Sequence, residues 1–418
     1  MCMSVRGEKI DVLGVDLGYD SVKILADDKQ LLFPSLAEVE EEGILSDTSF
    51  EVLKRKDNLV EKFDPAKMIV KIQSELITGG EDEEFSAYRV GDYVLNQNSS
   101  SIGYSLAVDK YEQPEEFAKL LAGICLLFPK ADTININHLI TGLPIKYYES
   151  HKKSFKEKLS KTFKVKLKNI NNQFVSKKIK IEKTTIIPQG LASYYDFIMD
   201  EKGQVTENIE GGLGIVDLGG LTIDCVAFNK GELIKGSPIS FSEGIRKRIF
   251  KKIQDYLDID VSQDIIKKQI LKGEDYIEVR GQIHDFEEVK EEEINKLSQD
   301  IARQIQNRWE SYLMIDKILI TGGASLLLFE SLKEDLAGFP CERIEVEPQF
   351  SNCRGYVKLG KALQRKVEAK LKKRLDEKKK KKEQSVKSKK EQEVKSNEEE
   401  GQDVIDKSRE EAAASSGN

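Results

Sequence analysis

Val15-Asp16-Leu17-Gly18-Tyr19-Asp20-Ser21-Val22-Lys23 and Val216-Asp217-Leu218-Gly219-Gly220-Leu221-Thr222-Ile223-Asp224 share one shape, and Asp217 follows Asp16 by 201 residues. In each, an apolar β-branched run ends at an aspartate, a glycine turn follows, and an apolar stretch returns, which reads as a β-hairpin. Two like hairpins about half a chain apart predict an internally duplicated fold. A third glycine segment, Ile320-Thr321-Gly322-Gly323-Ala324-Ser325, follows a short apolar strand at Lys317 to Ile320, with Gly322 105 residues after Asp217. Glycine lets the backbone bend tightly and bring its N–H groups close to an anion. A strand-end carboxylate meets water or Mg²⁺ rather than a phosphate, because it is a hard oxygen ligand for that ion. Lys23 lies where the returning strand can aim an ammonium at phosphates. Each piece alone is an ordinary turn; the three in this order predict a phosphate site.

The pattern around these segments is α/β. Phe117 to Phe128 predicts a helix leading to a buried strand at Ile134 to Thr141, and a basic amphipathic helix follows near Tyr147 to Phe163. Val165 to Ile187 alternates as a pair of strands, and Gln189 to Met199 reads as helical. Further helices are expected at Ile245–Leu257, Ser262–Leu271 and roughly Val289–Leu313, the last with Ile294, Leu297, Ile301, Ile305 and Leu313 at helical spacing. Residues 40 to 115 are mixed and polar, broken at Gly79-Gly80 and Asn98 to Ser101, and suggest an inserted subdomain. The expected division is lobe I over 1–195 with that insert, lobe II over 196–344, a return to lobe I over 345–365 and a charged tail over 366–418. Leu359, Leu363, Val367, Leu371 and Leu375 recur every four residues and predict a helix that outlives the core. From Lys378 the sequence is Lys, Glu, Gln and Ser, too polar to offset the entropy of ordering, so a disordered segment or a solvated helix is expected.

The three glycine segments, with Ile140-Thr141-Gly142-Leu143-Pro144-Ile145-Lys146-Tyr147-Tyr148 and the stretch from Ile186 to Ile198, resemble the ATPase core of the actin, sugar-kinase and heat-shock superfamily. Within it the chain is most similar to prokaryotic actin-like proteins of the ParM and archaeal-actin type, over about residues 10 to 365. The resemblance implies a duplicated ribonuclease-H-like fold, two lobes around a nucleotide cleft, and ATP or GTP with Mg²⁺ as ligands. It implies that Asp16 and Asp217 hold Mg²⁺ through water and serve catalysis. Gly18, Tyr19 and Asp20 would form the first phosphate loop with Lys23 reaching the phosphates, and Gly219 and Gly220 the second loop. Gln189 falls where the family keeps a Gln or Glu that orients the attacking water; without the resemblance it reads as an amide capping a helix start. Gly322, Gly323 and Ala324 would lie against adenosine, and Glu243, Arg246 and Lys247 would contact base and ribose. One departure stands out: actin has a small hydroxyl residue after the first loop glycine, where this chain has Tyr19. The Tyr19 backbone N–H is expected to serve the phosphates while its ring points elsewhere.

At 418 residues the chain is long for one core, which fits two lobes. Much of its low apolar content lies at the C-terminus, where Lys366 to Asn418 carries 16 Lys/Arg, 13 Asp/Glu and no aromatic residue. The net charge of −7 argues against a protein that coats nucleic acid with its whole surface. Five cysteines without CxxC spacing and three histidines form no disulfide or zinc framework, as in a reduced cytoplasmic protein. The N-terminus lacks a signal-peptide core, and the longest apolar run, Leu120 to Phe128, is too short to span a bilayer. The function these readings favour is an ATPase that polymerises into a cytoskeletal filament, for plasmid or phage DNA segregation. Its partners would be itself and a small DNA-binding adaptor, with no direct sequence-specific DNA contact and no membrane. A sugar- or acetate-type kinase and a chaperone-like ATPase are the alternatives on the same fold.

Overall fold

The structure, a computed structural model, describes residues 6–40, 63–73, 85–97, 110–207, 209, 211–309 and 315–415. The first hairpin is β1 (Gly7–Leu17) and β2 (Ser21–Ala26), extended by β3 (Lys29–Pro34). Then come β4 (Ala37–Val39), β5 (Met68–Gln73), β6 (Phe85–Val90) and helix α1 (Asp92–Gln97). Helix α2 (Pro114–Leu127) has a proline in its first turn, where a missing N–H costs nothing, and Glu115 and Glu116 beside it complement the helix dipole. It is buried along nearly its whole length, as its continuous apolar sequence requires. There follow β7 (Thr133–Leu143), α3 (Ile145–Leu159), β8 (Thr162–Lys168), β9 (Phe174–Ile181), β10 (Thr184–Pro188) and α4 (Leu191–Ile198).

The second half begins with β11 (Gly212–Leu218) and β12 (Ile223–Asn229), then β13 (Glu232–Leu233) and β14 (Ile239–Phe241). A π-helical turn, Arg246–Phe250, runs into α5 (Lys251–Leu257). Helix α6 (Gln263–Lys272) is capped by the Ser262 hydroxyl, which accepts from the Ile265 N–H, and ends on Gly273 at φ 76°. Next are β15 (Tyr276–Val279), β16 (Gln282–Asp285), α7 (Glu287–Trp309), β17 (Ile315–Thr321), α8 (Ser325–Asp335), β18 (Cys341–Arg343) and α9 (Ser351–Ser415).

The duplication is explicit in the pairing. In the first sheet β3, β2 and β1 are antiparallel neighbours, and β7 lies parallel to β1 with β10 parallel beyond it. In the second sheet β13, β12 and β11 are antiparallel neighbours, and β17 lies parallel to β11 with β18 parallel beyond it. The order and the sense of every pair are the same in both halves. Strand β7 is long enough to hold two partners on one side, β9 along Thr133 to Ile136 and β10 along Leu139 to Leu143. That division explains why residues 162–188 form three strands where sequence alternation suggested two.

Each sheet covers its own core. Leu13, Val15, Val22 and Ile24 meet α2 in one. Val216, Ile223, Ile318 and Ile320 meet α5, α7 and α8 in the other. The sole tryptophan, Trp309, is fully buried there and donates its indole N–H to the Ser237 carbonyl at 2.8 Å. Of the insert expected over residues 40–115, the described strands do not stand apart. Strand β5 pairs with β8 and β6, β6 pairs with β4, and Met68, Val70, Ile72 and Val90 join the first core. The breaks at Gly79-Gly80 and Asn98 to Ser101 lie outside the described residues. The opening turns of α9 pack on the first lobe, where Tyr356 and Val357 cluster with Val12, Ile140, Ile187 and Ala192. The chain divides into two compact units, 1–361 and 362–418, and the second is helical through Ser415. Among the described residues no helix is long and apolar enough to cross a membrane.

Candidate functional site

The aspartates that end β1 and β11 open into one cleft of about 520 Å³, a volume suited to a cofactor-sized ligand. On the first side, hairpin register sets Lys23 directly opposite Asp16. The Lys23 ammonium lies 3.1 Å from Asp16 Oδ2. Burial opposes the Lys23 charge, but Asp16 outweighs it and holds the ammonium above its usual pKa. Gln189 follows β10 and donates its side-chain amide to Asp16 Oδ1 at 3.3 Å. Gln189 lines the cleft, and its amide is turned to the cleft aspartate.

The second side differs in a way that matters. Register sets Asp224, not a lysine, opposite Asp217. Asp217 accepts from the Asn352 amide at 2.9 Å, and Asn352 is itself held by the Ser193 hydroxyl at 2.9 Å. Burial, and then the charge of Asp16, push the Asp217 carboxyl up to about 6. Among the described residues no ion pair reaches it. This half-buried carboxylate has no ion-pair partner among the described residues, and a divalent cation would supply one. Among the described residues no three His, Cys, Asp or Glu side chains gather as a metal cage. That donor set fits Mg²⁺, which is bound through one or two carboxylates, water and substrate phosphates rather than by an all-protein cage.

The glycines are where close approach demands them. Gly322 has φ +86°, and a Cβ there would lie 2.5 Å from both Asp217 Oδ1 and the Leu218 carbonyl. A Cβ on Gly220 would lie 2.6 Å from the Asp20 side chain, so the two hairpin loops touch. Gly18, Tyr19, Asp20, Gly219, Gly220, Gly322, Gly323 and Ala324 all line the cleft. Beyond them Ile245, Phe250, Ile270, Leu271 and Leu326 make an apolar flank fit for a flat ring.

Three residues expected to contact base and ribose are placed otherwise. Glu243 and Lys247 are absent from the cleft wall and form an ion pair with each other across four residues of sequence. Arg246 is buried, and its guanidinium is taken by Asp20 and Asp264. Asp20 also accepts from Lys267 at 2.8 Å. Burial would raise the Asp20 carboxyl, but Lys267 and Arg246 overcome it and hold the group well below the usual carboxylate range. Asp20 therefore ties the first loop to the second lobe. Lys267 and Asn352, both on the cleft wall, carry no glycine turn or strand-end signal that would have marked them in the sequence.

Two sheets of one topology, each aiming a strand-end aspartate into a shared cleft, define an actin-fold protein. Residues 14–191 match the family model for the N-terminal domain of actin-like proteins, and residues 215–334 match that for the C-terminal part of the archaeal actin homologue of MreB type. The chain belongs to the actin-like proteins of the ParM and archaeal-actin type. Similar solved structures include the actin-like protein Alp7A, at 18% identity and TM-score 0.70, covering 88% of this chain and 100% of that one. A 15-stranded ParM filament from Clostridium botulinum has 25% identity and TM-score 0.62, covering 85% of this chain and 100% of its own. Ta0583, an archaeal actin homolog in complex with ADP, has 18% identity and TM-score 0.61, covering 84% of this chain and 100% of its own. No curated protein matches the chain.

Proposed function

We propose that this protein binds and hydrolyses ATP and couples hydrolysis to assembly into filaments. The observation that carries the reading is the pair of strand-end carboxylates in one cleft, Asp16 with Lys23 and Gln189, and Asp217 held by Asn352 of α9. Hydrolysis by in-line attack needs phosphate charge neutralised and one water placed. Lys23 and the loop N–H groups of Gly18, Tyr19, Gly219 and Gly220 supply donors for the phosphates. Asp16 and Asp217 would hold Mg²⁺ through water, and the ion would neutralise the phosphate oxygens there. Gln189 orients the attacking water, being an amide and no strong base. The apolar flank beside Gly322 and Gly323 takes the adenine ring. GTP is the alternative nucleotide.

Assembly follows from the fold's two lobes. A head-to-tail contact between identical subunits yields open filaments unless its rotation closes. Lobes hinged over a nucleotide change shape with the γ-phosphate, so ATP and ADP forms differ in affinity for a neighbour. The similarity to a ParM filament protein supports this reading. The cellular role we favour is cytoplasmic segregation of plasmid or phage DNA, with a small DNA-binding adaptor joining filament to cargo. Light scattering and negative-stain microscopy with ATP, GTP, ADP and a slowly hydrolysed analogue test the proposal. Filaments are expected with the triphosphate and shortening as diphosphate accumulates. A chain that stays monomeric at tens of micromolar with every nucleotide, yet phosphorylates a small sugar or acid, is a kinase instead.

A further inference from the structure

Behind the first hairpin loop, on the side away from the cleft, lies a buried lysine. Lys110 is 2% exposed. Its ammonium donates to the Leu17 carbonyl at 2.9 Å and to the Gly18 carbonyl at 3.1 Å. It also sits 3.9 Å above the centre of the Tyr19 ring. Glu116 approaches it at 3.9 Å but spends its shorter contact, 2.5 Å, on Lys119. An ammonium is costly to bury unless its donors are satisfied. Here the satisfying groups are two consecutive carbonyls and an aromatic face, all from one loop.

The geometry has a directional consequence. Among the described residues every peptide bond is trans. In a planar trans peptide the carbonyl and the N–H point in opposite directions. The Leu17 carbonyl belongs to the same peptide as the Gly18 N–H, and the Gly18 carbonyl to the same peptide as the Tyr19 N–H. With both carbonyls drawn to Lys110, both N–H groups are turned the other way, towards the cleft that Gly18 and Tyr19 line. The same lysine packs on the face of the Tyr19 ring and so fixes where that bulky side chain lies beside the loop.

We propose that Lys110 is the positioning residue of the first phosphate loop, orienting two successive peptide planes and the Tyr19 ring so that backbone N–H groups face the nucleotide phosphates. This rests on the nucleotide reading above. It assigns the work of a missing loop hydroxyl to a lysine more than 90 residues away in sequence.

Binding of adenosine, ADP and ATP to the full chain separates positioning from mere packing. Adenosine has the ring and ribose but nothing for the loop to hold. In Lys110→Met, ADP and ATP are expected to bind roughly ten- to a hundredfold more weakly, the range for lost hydrogen bonds to a charged group, while adenosine binding stays unchanged. Lys110→Arg, which keeps cationic donors, restores most of the loss. Lys110→Gln, with one neutral amide, guards against a Met variant that does not fold and is expected to show a smaller loss of the same kind. If adenosine, ADP and ATP weaken together, or if none weakens, the lysine is only a packing element and the inference fails. A wild-type chain that binds neither adenosine nor ATP refutes the nucleotide reading itself, before any variant is compared.

Discussion

Asp16 and Asp217 occupy the same place in the two hairpins, yet their opposite neighbours carry opposite charge, Lys23 and Asp224. This asymmetry gives a pH prediction. The folded-state carboxyl of Asp217 titrates near 6, above its ordinary 3.8, because of burial and then Asp16. The folded protein therefore binds this proton more tightly than the unfolded chain does. The stability it contributes is complete below the ordinary pKa and is lost as pH rises through about 6. On the proposed reading Mg²⁺ needs the ionised carboxylate, so Mg-nucleotide affinity should rise as pH goes from 5 to 7. Titrations of nucleotide across that range should show the rise in the wild type and its absence in Asp217→Asn; a flat wild-type profile contradicts the assignment. Gln189→Ala should still bind ATP but turn it over roughly a hundredfold or more slowly, since a water-placing group acts in the transition state. Wild-type turnover in that variant would leave the Gln189 to Asp16 contact as packing. Asp16, Lys23 and the loop glycines were legible in the sequence because they belong to the two hairpins and the third glycine turn, and Gln189 only through the family resemblance. Lys110, Lys267 and Asn352 were not, since only folding brings them to the loops, and the same folding turns Glu243 and Lys247 towards each other.

At the scale of elements, one link between the lobes is ionic. Asp20 at the tip of the first hairpin reaches Arg246 in the π-helical turn and Lys267 on α6, and Arg246 also holds Asp264. Removing one partner of a buried pair leaves an uncompensated charge, which typically costs about 3–5 kcal/mol. Arg246 keeps Asp264 and Lys267 is one-third exposed, so Asp20→Ala should lose about 3 kcal/mol at most. A double-mutant cycle in urea with Asp264→Ala should show strong non-additivity, because both carboxylates share Arg246. Additive losses would mean that the cluster does not act as a unit. Besides α1 and α8, which went unpredicted, the regular helices were readable in the sequence. Strands β13 to β16 were not, having two to four residues each, too few for alternation to register. The hairpin β15–β16 turns on Arg280 and Gly281, both at positive φ, a two-residue turn whose Arg-Gly sequence lacks the usual asparagine or aspartate.

For the whole molecule, the question is what the long C-terminal helix adds. Among the described residues the last buried one is Gly360. Within the second unit Val367, Leu371 and Leu375 are each more than half exposed, so the four-residue stripe runs on past the last core contact. Charge along that unit is uneven, with five consecutive lysines at 378–382 and acidic residues dominating from 391 to 411. A chain lacking residues 378–418 should keep the wild-type melting temperature, because that stretch is dominated by Lys, Glu, Gln and Ser and offers little apolar surface for a core. It should also polymerise with nucleotide, since the removed stretch has little apolar surface to bury in a subunit contact. Bundling is a different matter. A basic block on one filament and an acidic block on another attract at low ionic strength and are screened near 0.15 M salt, where the Debye length is about 8 Å. Full-length filaments should therefore bundle at low salt and separate as salt rises, while truncated filaments stay single at both. Sedimentation at low and high speed distinguishes bundles from single filaments. Truncated protein that bundles as the full chain does, or that fails to assemble at all, would show that the tail's charge pattern is not the bundling element.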